Sequence, residues 1–292
     1  MDIVRLDYAV PAPEIAEYVT LFYDFSADVP FFEDIERADN AQLRFRLSSG
    51  ASTYRFPDGT VQDVPEFHVV GPTSGAMHVS AEGPVAVFGM GLTAGGWAAM
   101  IGADASNMLN RTVDAGDLFG AGRLQVAAAA LRKVEGIAAR AAIGEALVRD
   151  LVRHAAGHGG NGANGATGFV RQVDAWLAAS PSPEMEDLIA ITALSRRQIE
   201  RKCNAVYGAP PKLLARKYRA LRAAVAMVAG EESVGDAVER GFYDQSHMIR
   251  EVKQFTGLTP GQIRAEPGIL SHLTITQRSA LGGVVSALIS ET

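Results

Sequence analysis

A single cysteine, Cys203, stands among 292 residues, so no disulfide can form within the chain, as suits a reducing compartment. Long hydrophobic runs are missing too. No stretch approaches the ~18 apolar residues a membrane span needs, and the opening MDIVRLDYAV holds no apolar core of signal-peptide length. These absences predict a cytoplasmic protein with no membrane contact. The six histidines include no His-x-His pair. His68 and His78 lack a spaced Glu and third His, which assigns them structural or surface roles rather than a metal site. Residues 1–168 also carry no convincing nucleophile–base set, so no catalytic residue, metal or cofactor is expected.

Net positive charge is a further absence. The formal charge is −6, which argues against a phosphate-binding partner until its distribution is read. Residues 1–168 hold 12 basic and 20 acidic side chains, a net of −8, whereas 169–265 hold 14 against 11, a net of +3. Between Arg196 and Arg222 nine basic residues meet one acid, Glu200. Such asymmetry points to a partner for the C-terminal part alone.

The stretch GHGGNGANGATG is half glycine and reads as a linker. It divides the chain into a β-rich segment with C-terminal helices over 1–156, the linker over 157–168, a helical segment over 169–265 and an extension over 266–292. In the first segment Leu43, Phe45 and Leu47 alternate with Arg44 and Arg46, the pattern of a half-buried strand. Phe56-Pro57-Asp58-Gly59 marks a turn, and further short apolar runs lie around 67–70 and 85–91. That spacing predicts a small antiparallel barrel or sandwich. From about Ala121 to His154, Leu124, Leu131, Ile143, Leu147 and Leu151 recur at helical spacing, predicting two helices broken near Gly136. Beyond the linker, Ser180-Pro181-Ser182-Pro183 stops one helix, and Gly230 is placed to end a long one from about Pro211.

Two segments of the C-terminal part match at a shift of 49 residues. Ser195 aligns with Asp244, both good helix N-caps. Ile199, Cys203 and Val206 align with Met248, Val252 and Phe255, Gly208 with Gly257, and Pro211 with Pro260. Each unit reads as helix, tight turn, capped helix, Gly-x-x-Pro and next helix, a tandem helix-turn-helix. The second helix of such a unit lies in the major groove with its first turns toward base edges. The candidate DNA-contacting residues are Ser195, Arg196, Arg197, Gln198 and Arg201 in the first unit, and Gln245, Ser246, His247, Arg250 and Lys253 in the second. Arg bonds guanine bidentately and Gln bonds adenine, each worth roughly 1–3 kcal/mol of discrimination. Arg201 and Arg250 equally suit a turn-bracing or phosphate role. Arg216, Lys217, Arg219 and Arg222 fall on the connecting helix, where phosphate contact or plain solvation is expected. Cys203, on an apolar face, reads as a core thiol.

GFYDQSHMIREVKQFTGLTP (241–260) and, more loosely, LSRRQIERKCNAVYGAPP (194–211) resemble the signature of the AraC/XylS family of bacterial transcription regulators. The resemblance covers about 169–265. It departs at Ile189 and Ala193, where the family favours small Ala and Gly, and at Met248 and Val252, where Phe is frequent. It implies a seven-helix domain of two helix-turn-helix subdomains joined by a linker helix. The N-terminal part, through "YVTLFYDF … GPT … FGMGLTAGGWAAMIG", is similar in outline to the sensor domains preceding such modules. That similarity implies a cupin-like β-barrel or sandwich followed by helices that dimerise. The expected fold class is therefore α+β: a cupin-like β-barrel/sandwich with helices, then an all-α domain with two helix-turn-helix subdomains. The implied partners are double-stranded operator or promoter DNA, a small-molecule effector, a second copy of the chain and RNA polymerase. Arg44, Arg46, Tyr54 and Trp97 are the candidate effector-pocket residues, the arginines suiting an anion. Two alternatives stay open: an N-terminal part that only dimerises or binds a protein partner, and a barrel enzyme fused to a DNA module.

Overall fold

The computed structural model describes residues 3–157, 162–230, 241–265 and 268–292. Ten short strands build the N-terminal part: β1 Val4–Ala9, β2 Val19–Ala27, β3 Phe31–Glu36, β4 Gln42–Arg46, β5 Ser52–Arg55, β6 Val61–Asp63, β7 Phe67–Val70, β8 Met77–Glu82, β9 Val85–Leu92 and β10 Thr112–Asp114. They form a six-stranded antiparallel sheet, ordered β1-β2-β9-β4-β7-β10, and a four-stranded one, β3-β8-β5-β6. Among the described residues no pairing closes either sheet, so the sandwich rather than the barrel is realised.

Alternation along β4 is what divides this part into two cores. Leu43 and Phe45, 1% and 0% exposed, turn to one face of the sheet. Helices α1 (Ala94–Met100), α3 (Ala121–Leu131) and α4 (Ile137–Gly157) cover that face, with α2 (Ala115–Phe119) beside them. Leu124, Leu131, Leu147 and Leu151, at the helical spacing read from sequence, are all buried there, and Gly136 (φ 80°) breaks α3 from α4. Each fully buried large apolar side chain contributes about 1.5–3 kcal/mol. The other face looks toward the second sheet across Leu6, Phe25, Phe32 and Val79. Arg44 lies on that side and is 5% exposed, so β4 is buried on both faces rather than half-buried.

The C-terminal part holds α5 (Gly162–Ala179), α6 (Met185–Thr192), α7 (Arg196–Tyr207), α8 (Pro211–Ala229), α9 (Gln245–Thr256), α10 (Pro260–Ala265), α11 (Ile269–Ser279) and α12 (Ala287–Ser290). Helix α5 begins at Gly162, inside the expected linker. Glycine costs a helix about 1 kcal/mol per residue relative to alanine, a cost the apolar face of Phe169, Val173, Trp176 and Leu177 offsets by burial. Of the expected linker, 158–161 lie outside the described residues, as do 231–240, which precede the turn of the second unit. The extension past 265 does not stand apart: α11 packs on β1 and β3, and Leu270 N donates to Asp34 Oδ2 at 2.8 Å.

The two parts meet along the ends of the helix-turn-helix helices. Ala38 N donates to Phe255 O (2.7 Å) and Ala76 N to Gln254 O (2.9 Å), so the last turn of α9 rests on two loops of the sandwich. Gly208, which ends α7, lies close against Pro72 and the Ala105 carbonyl.

Candidate DNA interface and effector cavity

Helix α6 ends at Ala193, which adopts left-handed φ 53°, ψ 28°. This is the turn position where the sequence reading noted a missing glycine. Ser195 then caps α7 through a capping box: Gln198 N donates to Ser195 Oγ (3.4 Å), and Ser195 N donates to Gln198 Oε1 (2.9 Å). The Ser195 and Gln198 side chains thus hold the start of the helix while lying on its exposed face. Arg196 reaches Glu186 at 3.1 Å with both side chains well exposed, a pair of small worth that leaves the guanidinium available. Arg197 and Arg201 are exposed and have no partner among the described residues.

Helix α9 repeats the plan. Its N-cap is Asp244, whose carboxylate accepts from His247 N at 2.7 Å, and like α7 it has 12 residues and ends on a left-handed glycine, Gly257. Met248, Val252 and Phe255 are fully buried, as are Ile199 and Cys203 at the matching places, while Val206 is half-buried. Burial pushes the Cys203 thiol up to about 12, leaving it unreactive. Gln245, Ser246, Arg250 and Lys253 are exposed, and Arg250 Nε donates to the Ser246 carbonyl at 3.2 Å. His247 differs from its neighbours. Its Nε2 lies 3.2 Å from Glu251 Oε1, which turns the imidazole toward α8 and leaves it at the margin of the exposed face.

The basic residues of α8 do something the sequence reading did not foresee. Arg216 and Arg219 both donate to Glu251, which is 1% exposed, and Arg219 Nη1 also donates to Ser182 Oγ at 2.7 Å. Burial would raise the Glu251 carboxyl, but the hydrogen bonds from Arg216 and Arg219 hold it below its ordinary value. Arg222 donates to the carbonyls of Leu177 and Ser180. Lys217 is 5% exposed and donates to Asn40 Oδ1 at 3.0 Å; burial, partly opposed by Asp39, pulls it down to about 8. These four are therefore internal ties; of the basic residues between Arg196 and Arg222, Arg197 and Arg201 on α7 and Lys212 on α8 remain exposed without a partner among the described residues. A signal was present in the repeat: Glu251 occupies the place of Lys202 in the first unit.

Between the two sheets lies a cavity of about 100 Å³. Of the residues predicted to line a pocket, Arg44 and Tyr54 do, whereas Arg46 and Trp97 do not. Arg46 Nη1 donates to the Gly50 carbonyl, and Trp97 belongs to the helix-covered core, with Nε1 donating to Ala103 O at 2.7 Å. Arg44 is held by Glu36, by Gln42 Oε1 and by Tyr54 Oη, the last at 3.0 Å. Tyr54 lies 3.1 Å from His68 Nε2, and His68 Nδ1 donates to Pro65 O at 2.9 Å. Both imidazole nitrogens are thereby engaged, and burial, reinforced by Arg44, pulls His68 down to about 3. Sequence reasoning missed Arg37, Asp39 and Arg278, the first two joining the cavity from the loop after β3 and the third from α11. Their separation along the chain hid them.

Residues 188–266 match a family described as "Helix-turn-helix domain". Solved structures with similar architecture include ToxT from Vibrio cholerae O395, at 9% identity and TM-score 0.42, covering 81% of this chain and 99% of that one. The same protein bound to (E)-4-(8-methylnaphthalen-1-yl)but-3-enoic acid aligns at 8% identity and TM-score 0.43, covering 80% and 98%. Unsaturated fatty acid bound wild-type ToxT from strain SCE256 aligns at 8% and 0.45, covering 82% and 94%. No curated protein matches the chain.

Proposed function

From a C-terminal region that is an AraC-type helix-turn-helix domain, we propose that the chain is a sequence-specific DNA-binding transcription regulator controlled by a small molecule in its N-terminal sandwich. The observation that carries the reading is the pairing of α7 with α9. Two helices of equal length, each with a side-chain N-cap and a left-handed terminal glycine, expose Arg196, Arg197 and Arg201 on α7 and Gln245, Arg250 and Lys253 on α9, while Arg216, Lys217, Arg219 and Arg222 of the connecting helix are tied up internally. Arg197 and Arg201 supply charge from the first helix; Gln245, Ser246, Arg250 and Lys253 supply charge and base-edge donors from the second. Arg196 adds to the first helix once released from Glu186, and Ser195, Gln198 and His247 set how the helices begin. Signal transfer is a population shift in which the effector favours one arrangement of the two parts. Operator or promoter DNA, a second copy joined through the outer faces of α3 and α4, and RNA polymerase acting in the cytoplasm complete the proposal.

The test is selection of binding sites from random duplexes by the full chain, followed by titration at several salt concentrations. Arg201→Ala and Lys253→Ala are each expected to lower the salt slope by about 0.9 for a lost phosphate contact. Gln245→Ala is expected to relax preference at one base pair. Unchanged affinity and slope in all three variants would refute the assignment.

A further inference from the structure

The charged end of the inter-sheet cavity contains more cation than it can satisfy. Three guanidinium groups, Arg37, Arg44 and Arg278, face two carboxylates, Glu36 and Asp39. Arg44 is saturated, as described. Arg278 Nη2 donates to Asp39 Oδ2 at 2.8 Å, and its guanidinium lies over the Tyr8 ring, 5.5 Å from the centroid. Arg37 is different. It is 5% exposed, and none of its three side-chain nitrogens has a hydrogen-bond partner among the described residues. Its nearest carboxylate oxygen, Asp39 Oδ2, is 3.7 Å away and already engaged by Arg278. A buried guanidinium that makes no hydrogen bond and has only a long ion pair to a carboxylate shared with another arginine is among the costlier arrangements in a protein. Burial, and next the charge of Arg278, hold Arg37 below its ordinary value, at about 10. The rest of the cavity is mostly apolar, with walls from Phe25, Phe32, Val79 and Val87 and a roof from Leu270 on α11, and with Ser52, Ser80, Ser271 and Thr274 among them.

We propose that this cavity binds a small organic anion, a carboxylate on a compact apolar body, with the carboxylate on Arg37 beside Arg278 and the body against Phe25, Phe32 and Leu270. The assignment rests on the reading of the sandwich as the effector site, and it names the ligand class. At about 100 Å³ the cavity is smaller than the roughly 150 Å³ one that accommodates benzene, so the size suits a short chain or at most one small ring. The roof gives the ligand a route to the DNA-binding part. Helix α11 follows α10 directly, is pinned at its start by Asp34, and carries Arg278 on the Asp39 carboxylate that also bears on Lys217 of α8.

The experiment is calorimetric titration and thermal unfolding of the full chain with benzoate and hexanoate, each against its neutral amide, and with inorganic phosphate. Benzoate or hexanoate is expected to bind at least tenfold more tightly than the matching amide and to raise the unfolding temperature. Arg37→Met is expected to abolish that preference while the free variant unfolds at or above the wild-type temperature, because a buried charge without hydrogen bonds has been removed. Equal binding of acid and amide, binding of phosphate as tight as that of the organic acids, or no binding of any probe would overturn the proposal. So would an Arg37→Met chain that unfolds several degrees lower, which would make Arg37 a structural partner of Asp39. The acid–amide comparison on the wild-type chain decides the matter even if the variant does not fold. Duplex-DNA affinity measured with and without saturating benzoate separates the two readings: acid binding without a change in DNA affinity supports the site and counts against effector control.

Discussion

Replacing Glu251 with alanine removes the one acceptor shared by Arg216, Arg219 and His247. Removing one partner of a buried ion pair costs about 3–5 kcal/mol, because the other charge stays behind. Two features move the expectation to the lower end. Arg216 has a side-chain exposure of 34% and recovers water, and Arg219 keeps its bond to Ser182 Oγ. A loss of about 3 kcal/mol results, which at a urea slope of about 2–3 kcal/mol/M lowers the unfolding midpoint by roughly 1–1.5 M. Glu251→Gln keeps an acceptor oxygen and loses only the charge, so about half that loss is expected. Acid supplies an internal control. The folded-state carboxyl lies below its ordinary 4.5, so its contribution is complete above pH about 4.5 and disappears as pH falls through the folded value. The gap between wild type and Glu251→Gln therefore closes in that window. Urea titration followed by circular dichroism, at neutral pH and down through pH 4, reads both effects. A Glu251→Ala midpoint within 0.2 M of wild type, or a gap that does not change with pH, would refute the reasoning.

Two further outcomes follow from single residues. Ala193 occupies the left-handed region at φ 53°, which costs a residue with a Cβ about 1–2 kcal/mol. Ala193→Gly is expected to stabilise the first unit by about 0.5–1 kcal/mol after glycine's greater unfolded-state freedom is subtracted, and a lower urea midpoint would contradict this. His68 falls from 6.5 in the unfolded chain to about 3 in the fold, so protonation favours the unfolded state. Its contribution is whole above pH about 6.5 and is lost as pH drops from there toward 3. A His68→Gln chain should lack that part of the pH slope, and superimposable slopes would rule the residue out as its source.

Much of this was legible in the chain itself, for identifiable reasons. The repeat at a shift of 49 residues marks both α7 and α9 because apolar period, cap residue and terminal glycine all agree. The alternation in β4 identifies a strand and makes Arg44 a pocket candidate, yet it reads the strand as half-buried, since a binary pattern cannot show a second sheet closing over the polar face. Trp97 drew attention as a large aromatic ring and turned out to be core, with its indole donor satisfied six residues away at Ala103. The basic run from Arg196 to Arg222 spans two helices, and the sequence does not show that the second packs its charges against α9. Arg216 and Arg219 meet Glu251 while Arg197 and Arg201 face water. Arg37 and Arg278 meet only through the return of α11 across the sandwich, and no local signal predicts a contact of that span.

That return has a mechanical meaning. The helix-turn-helix part is bracketed by the sandwich: α4, before it, lies on the six-stranded sheet, and α11, after it, lies on β1 and β3. A module tethered at one end explores a wide solid angle, whereas one tethered at both is confined to a few orientations. Its local concentration at the docking loops is accordingly high without any strong contact there. Cutting the chain after Ala265 would leave α7 and α9 intact and release one tether. The sandwich would then lose most of its leverage over the orientation of those helices.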